Sequence, residues 1–290
     1  MSLSSLHLDA FFAAAQSLNF SQAAKELHIT QSALSQRIKA LEEDLNLTLF
    51  VRLPRGVQLT EAGERLLRYC QARGSLEREL LDHLTGGEGR AVGGMLRIAG
   101  YSSVARSVIL PALTPLLREN PRVQPHVQSN EIRSLPEMLI TGQVDFIVTD
   151  TEVHRNDFAS VTLGEEEYVM CASADHAAPE DIFLDHDPSD PITNAFFAGQ
   201  NRPVPEYRRA FLAEVYAIID GVAAGLGRAV VSRHLIRHDS RVHVVSGYEP
   251  MRVPVFLHYH KQPFYTQLHK LATAALTANV PALLSPVTEP

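Results

Sequence analysis

The chain has 290 residues, 45% of them hydrophobic, enough for two or three compact units with buried cores. Lys and Arg number 26 against 33 Asp and Glu, a formal charge of −7, which excludes a nucleic-acid binder that works by bulk positive charge. The two cysteines, Cys70 and Cys171, fall in different predicted units, so neither an internal disulfide nor a redox pair is expected, and the sparse usage fits a reducing cytoplasm. No stretch approaches the ~20 apolar residues of a membrane span. The start, Met1 to Asp9, lacks a charged region followed by a long apolar run, so a cytoplasmic protein without a membrane partner is expected.

In chain order, Leu3 to Ser17 reads as a first helix with Leu6, Ala10, Phe11, Ala13 and Ala14 inward. Asn19-Phe20 ends it, and Phe20 plugs a three-helix core. A second helix runs from an N-cap at Ser21 to Leu27, with Ala23 and Ala24 small enough for close packing. His28-Ile29 is a turn. Thr30 caps a third helix, in which Leu34, Ile38, Leu41 and Leu45 form one buried stripe. Its opposite face carries Gln31, Ser32, Ser35, Gln36 and Lys39. Amides and hydroxyls with few carboxylates suit a DNA major groove: Gln pairs adenine in a bidentate way, Ser is less selective, and Lys reaches phosphate or guanine. The plainer reading is an amphipathic helical pair with a solvated polar face. Phe50 to Arg52 and Val57 to Leu59 are short β-like runs around the turn Pro54-Arg55-Gly56, a wing whose Arg52 and Arg55 would meet phosphate or the minor groove. Residues 1–59 nevertheless balance in charge: Lys25, Arg37, Lys39, Arg52 and Arg55 against Asp9, Glu26, Glu42, Glu43 and Asp44.

Several blocks in fixed order are similar to LysR-type transcriptional regulators: Phe20-Ser21-Gln22-Ala23-Ala24, Gln31-Ser32-Ala33-Leu34-Ser35, Leu49-Phe50-Val51-Arg52 and Leu59-Thr60-Glu61-Ala62-Gly63. The resemblance implies a winged helix-turn-helix at 1–59. The order Gln36-Arg37-Ile38 reverses the Arg-Gln common in the family and resembles the subgroup that responds to basic amino acids. Gln36 is therefore expected to read a base in preference to Arg37.

Thr60 caps a long helix, 60–85, in which Leu59, Ala62, Leu66, Tyr69, Arg73, Leu76, Leu80 and His83 recur at spacings of three and four. This reads as a dimerisation helix, as the resemblance also implies; Gly63 and Gly74 weaken it unless close packing requires them. A Gly-rich hinge follows at 86–94. Residues 95–290 then alternate between strands and helices: strands at 95–99, 123–128, 144–149, 168–172, 209–212, 229–232, 241–245 and 253–260, and helices at 104–119, 133–141, 215–224 and 264–276. The alternation predicts a parallel sheet with helices on its faces. Residues 174–205, Pro-rich and acidic in part, are unusual for the family, and a disordered tail is expected around Pro281, Pro286 and Pro290. Leu110-Pro111-Ala112-Leu113, Leu139 to Asp145 and Val222 to Gly227 resemble the two-lobed, periplasmic-binding-protein-like effector domain of LysR-type regulators. Ser232 stands where many members have proline. The expected fold is thus α/β, with an N-terminal winged helix-turn-helix and a long helix ahead of two lobes.

Ligands of α/β lobes sit beyond the carboxyl ends of strands. Ser102 and Ser103 follow the first strand of the lobes, Asn130 and Glu131 the second, and Glu214 opens a helix. The resemblance gives Ser102 a ligand role in place of plain N-capping. Glu131 and Glu214 suit an ammonium or guanidinium group, compatible with an amino-acid effector. No metal and no cofactor are expected: His234/His238 and His258/His260 have no third ligand placed by spacing, and Gly221 to Gly227 lacks the Gly-x-Gly-x-x-Gly spacing. No nucleophile motif appears, so an enzyme is not expected. The resemblance implies a dimer or tetramer on inverted-repeat duplex DNA, with RNA polymerase as a further partner. The alternative is a small-molecule sensor or α/β enzyme that does not bind DNA and whose helices only dimerise.

Overall fold

The computed structural model describes residues 3–53, 56–84 and 92–285. The N-terminal unit packs α1 (Ser5–Ser17), α2 (Phe20–Glu26) and α3 (Gln31–Leu45) around Phe11, Leu34 and Leu41, followed by the hairpin β1 (Phe50–Leu53) and β2 (Gly56–Leu59). Leu6 is not in this core: it is 61% exposed, and Leu8 takes the inward place, three residues before Phe11 and seven before Ala15 on the same face of α1. Asn19, not Ser21, caps α2: its side chain accepts the N–H groups of Ser21 and Gln22 at 3.0 and 3.1 Å. Thr30 caps α3 by accepting from Ala33 N–H at 3.2 Å. Phe20 packs edge-on against Phe50, centroids 5.2 Å apart.

Thr60 caps α4 (Glu61–Leu84), accepting from Gly63 N–H at 3.0 Å. Leu67 and Cys70 face the three-helix core, while Tyr69, Leu76 and Leu80 are exposed. Arg73 leaves the expected seam and pairs with Asp9 at 2.8 Å. The side chain of His83 and residues 85–91, most of the expected hinge, lie outside the described residues. α4 also reaches the next unit, where Gln71 Nε2–H donates to the Gly142 carbonyl at 2.7 Å.

Lobe I contains β3 (Gly94–Gly100), β4 (Val123–Ser129) and β5 (Phe146–Thr149). Between β3 and β4, α5 (Ser102–Val104), a π-helical turn (Ala105–Ile109) and α6 (Leu110–Glu119) follow one another without a break; a 3-10 turn (Ile132–Ser134) and α7 (Leu135–Ile140) join β4 to β5. The long β6 (Phe158–Ser173) then crosses into lobe II. There lie β7 (Ile182–Asp185), α8 (Ile192–Ala198), β8 (Arg208–Phe211), α9 (Val215–Ala223), β9 (Ala229–Ser232), α10 (Arg233–Ile236) and β10 (Val242–Val244). β11 (Met251–His260) returns along β6, and α11 (Gln267–Leu284) closes on lobe I.

The sheet is mixed, not parallel. β3 runs parallel to β4 and β5, but β11 is antiparallel to both β5 and β6, and β9 and β10 are antiparallel to β6. Alternation along the sequence does not reveal this, because β6 and β11 pair with each other across a long insertion. β6 begins at Phe158, ten residues before the expected strand; its exposed Ser160, Thr162 and Glu165 interrupt the apolar pattern. The segment unusual for the family, 174–205, for which no element was expected, holds β7 and α8, whose Phe183, Phe196 and Phe197 form one face of the lobe II core. α11 extends to Leu284 with Pro281 inside it, because Val280 and Leu284 are buried in the lobe I core; residues 286–290 lie outside the described residues. Gly225 follows α9 at φ +77, the left-handed C-terminal position that suits glycine.

A Cβ at Gly63 would lie 2.3 Å from the Leu49 carbonyl oxygen, whereas one at Gly74 would meet nothing within 4 Å. Gly63→Ala is therefore expected to destabilise the N-terminal unit by about 1–3 kcal/mol through overpacking. Gly74→Ala should add up to about 1 kcal/mol from helix propensity. Urea denaturation of the two variants checks both signs.

Candidate DNA-recognition face and effector cleft

On α3, Gln31, Ser32, Gln36 and Lys39 are exposed and Ser35 is half-buried, opposite the buried Leu34, Ile38 and Leu41. Gln31 accepts from Ser21 Oγ at 3.2 Å, Ser32 Oγ lies 3.0 Å from Thr30 Oγ1, and Lys39 pairs with Glu43 at 3.5 Å. Arg55 and the side chain of Arg52 lie outside the described residues. The acids that balance the charge are used inside the unit. Glu42 accepts the N–H groups of Leu49 and Phe50 at 2.7 and 3.4 Å, Asp9 pairs with Arg73, Asp44 lies 3.9 Å from His7, and Glu26 accepts from Gln22. The amide and hydroxyl face of α3 is left with few competing carboxylates.

The two lobes meet around a buried carboxylate. Glu166, on β6, is fully buried and accepts from Tyr101 Oη at 2.7 Å, from His234 Nε2 at 2.7 Å and from Ser232 Oγ. Tyr101 belongs to lobe I; Ser232 and His234 belong to lobe II. On its other side His234 Nδ1 lies 2.8 Å from Ser107 Oγ, whose hydroxyl donates to the Ser103 carbonyl. The imidazole therefore bridges the lobes. Burial opposes the Glu166 charge, but the bonds from His234, Ser232 and Tyr101 outweigh it and hold the carboxyl below its ordinary value. Burial, then the Glu166 charge, push the Tyr101 phenol well up. Beside this network, the Arg106 guanidinium of lobe I lies 3.9 Å from the Tyr216 ring centroid of lobe II.

The expected effector residues fall on both sides of this joint. Ser102 and Ser103 open α5 directly after Tyr101, with no side-chain cap, and Ser103 is buried. Asn130 N–H donates to the Gly100 carbonyl at 3.0 Å, which sets the ends of β3 and β4 side by side. Glu131 is close enough to act on His186 of lobe II, whose ring is raised chiefly by its bond to Asp187 and further by Glu131. Glu214 caps its own helix, accepting from Tyr216 N–H at 3.4 Å, and so stands at the lobe II edge of the Arg106–Tyr216 contact. The histidines weighed as metal ligands are bonded elsewhere: His258 Nε2 lies 2.9 Å from Thr149 Oγ1, and His260 Nε2–H donates to the Leu139 carbonyl at 2.8 Å.

Residues 6–64 match the family model of the bacterial regulatory helix-turn-helix protein, lysR family, and residues 89–279 match the LysR substrate binding domain. The chain belongs to the LysR family. It is 31% identical over 254 residues to the HTH-type transcriptional regulator y4mQ of Sinorhizobium fredii, an alignment covering 82% of this chain and 80% of that protein. It is 40% identical over 114 residues to the carbapenem-hydrolyzing β-lactamase transcriptional activator of Enterobacter cloacae, where it spans only 38% of the relative's length. Full-length LysG of Corynebacterium glutamicum, solved with arginine bound as effector, shares the fold at a TM-score of 0.75 and 20% identity, covering 99% of this chain and 100% of that one.

Within this LysR-family chain, sequence reasoning missed Tyr101, Glu166 and His234. The signal was present in Glu165-Glu166-Glu167, three acids leading into an apolar strand. Glu165 is exposed, but Glu166 and Glu167 are buried, and Glu167 pairs with Arg233 at 3.0 Å and Arg252 at 3.3 Å. Ser232, where many members have proline, now has a reason: its hydroxyl reaches Glu166.

Removing the Glu166 carboxylate strands a buried imidazole and two hydroxyls, so Glu166→Ala is expected to cost about 3–5 kcal/mol in chemical denaturation. The folded-state value is lowered from 4.5, so the stability this group contributes is present above that pH and lost as pH falls through the lowered value. The acid limb of the stability profile should be shallower in Glu166→Gln than in the unaltered chain.

Proposed function

We propose that this protein is a sequence-specific, DNA-binding transcriptional regulator of the LysR type, whose grip on DNA is set by a small molecule between its two lobes. The observation that carries the reading is α3. Its exposed Gln31, Ser32 and Gln36 and half-buried Ser35 face outward, while Glu42, Asp9 and Asp44 are engaged elsewhere in the unit. In this reading Gln36, Gln31, Ser32 and Ser35 meet base edges, and Lys39, Arg52 and Arg55 meet the backbone. Tyr69, Leu76 and Leu80, exposed along α4, seat the same helix of a second copy. Pairing places two recognition helices on inverted half-sites about 34 Å apart; two dimers make a tetramer, and RNA polymerase is the further partner on the promoter. The domain limits follow: 1–59 binds DNA, 60–85 pairs, 86–94 is the hinge and 95–290 binds the effector.

The effector is a cationic metabolite, with an amino acid as the first candidate. Glu131 and Glu214 border the lobe joint, and half-buried Asp150 lies near it with its carboxyl raised by burial. Ser102, Ser103 and Asn130, at the ends of β3 and β4, would hold the carboxylate of such a ligand. LysG, with its bound arginine, shares the fold. The protein acts by binding and not by catalysis: the chain of Ser107, His234 and Glu166 resembles a hydrolase triad, but the serine hydroxyl is committed to the Ser103 carbonyl. No helix among the described residues is long and apolar enough to cross a membrane. In this reading the protein acts in the cytoplasm, where its DNA is.

Fluorescence anisotropy on the DNA upstream of its own gene, beside scrambled DNA at one stated salt concentration, tests the reading. We expect a preference of a hundredfold or more, about 2.7 kcal/mol, lost in the Ser35→Ala/Gln36→Ala double variant. Equal weak binding to the operator candidate, and to fragments from the neighbouring genes, would favour the sensor or enzyme alternative. For the effector, calorimetry with arginine should show binding weakened at least tenfold by Glu214→Gln or Glu131→Gln. Affinity unchanged in both would sink the cationic assignment.

A further inference from the structure

Among the described residues, three that line one cavity each carry a buried side-chain nitrogen without a hydrogen-bond partner: Arg68 (Nη1), His260 (Nδ1) and His269 (Nε2). The cavity, about 1060 Å3, lies between α4 and the end of lobe I where β3 and β5 begin. Ser102 and Asn130 sit at the opposite ends of β3 and β4, roughly 20 Å away along seven-residue strands. This space is therefore separate from the cleft between the lobes.

Its chemistry is specific. The carboxylate nearest Arg68 is Asp157, at 3.7 Å from Nη2, beyond hydrogen-bond reach. Asp157 already accepts twice from Arg155, at 3.0 and 3.3 Å, so the Arg68 guanidinium keeps an open N–H beside the cavity. His260, only 6% exposed, uses its Nε2–H on the Leu139 carbonyl, which leaves Nδ1 as a bare acceptor in a ring that burial holds neutral. Arg68 Nη2 and His260 Nδ1 both stand within 3.8 Å of one oxygen, Asp157 Oδ2, so the open donor and the open acceptor are neighbours. An aromatic cluster adjoins them. The His269 ring is stacked between Phe146 and Tyr265, with centroids 4.4 and 4.5 Å apart, and Phe264, 76% exposed, borders the cavity. Asp145, also lining the cavity, is spanned by Arg97 at 2.7 and 3.2 Å and offers no free charge.

We propose that this cavity is a second ligand site, for a planar organic carboxylate that carries a hydroxyl or N–H donor beside the carboxylate. The carboxylate meets Arg68, the adjacent donor meets His260 Nδ1, and the ring lies against the edges of His269 and Tyr265 and beside exposed Phe264. Because α4 supplies one side and lobe I the other, an occupant favours one angle between them. On the regulator reading, and only on it, occupancy then changes the spacing of the recognition helices.

The test is titration calorimetry of the full-length protein with 3-hydroxy-2-naphthoate. Saturable binding of one molecule per chain is expected, at least tenfold weaker for 2-naphthoate, which lacks the donor, and for the Arg68→Gln variant. Ala72→Trp, which fills the cavity from α4, should abolish it, and Ser102→Ala in the cleft should leave it unchanged. Circular dichroism establishes that each variant folds; if Arg68→Gln does not, Ala72→Trp decides. No saturable heat at millimolar ligand, unaltered binding in folded Ala72→Trp, or loss in Ser102→Ala would each overturn the site. Operator anisotropy with and without the ligand is read separately. Failure to bind DNA at all counts against the regulator reading, and binding of the ligand with no change in operator affinity counts against the coupling alone.

Discussion

The architecture depends on one buried charge. Glu166 sits on β6, the strand that leaves lobe I for lobe II, and its carboxylate draws donors from both: Tyr101 from one, Ser232 and His234 from the other. An ionised carboxylate without water costs several kcal/mol unless its lone pairs are filled. Here they are filled only when the lobes hold this relation. The network does not add greatly to net stability, because burying a charge is expensive even when it is paired. What it does is make other lobe arrangements poor, and so fix the walls between which a ligand would lie.

The N-terminal unit solves a different electrostatic problem. Its first 59 residues carry as many acids as bases, which gives no net attraction to phosphate. The balance is spatial. Glu42 is turned into the start of the wing, where two backbone N–H groups need an acceptor, and Asp9 meets Arg73 of α4. Acids that would repel DNA become the fasteners of the domain. The exposed face of α3 is polar without being strongly charged, which suits the base-reading role proposed for it more than bulk attraction to any duplex.

The parts of this fold that were legible in the sequence are those whose signals are local. The stripe Leu34–Ile38–Leu41, the Thr30 and Thr60 caps, the paired wing strands and the Gly225 helix end each depend on neighbours a few residues away. The errors come from distant partners. Pro281 reads as a tail until Val280 and Leu284 are seen buried in lobe I; the mixed sheet appears only when β11 returns to β6; α8 takes its place from Phe196 and Phe197. At the candidate sites, the places of Ser102 and Glu214 were legible because both stand at helix starts. Glu166 and His234 were missed because nothing within β6 or α10 says that they will face one another. Cap preference also failed by degree: Asn19 and Ser21 are both good caps, and the side chain that reached two free N–H groups was Asn19.

The contact at Gly63 has a mechanical meaning. With no side chain there, the first turn of α4 lies directly on the Leu49 carbonyl, and Thr60 ties the same turn to Thr48 at 2.7 Å. At its middle, the same helix is held to lobe I by Gln71 on Gly142. A helix clamped at one end and hinged farther along behaves as a lever arm. Little rotation is lost in the joint with the wing, so a small tilt imposed at Gly142 arrives at α3 as displacement, in proportion to the distance between them.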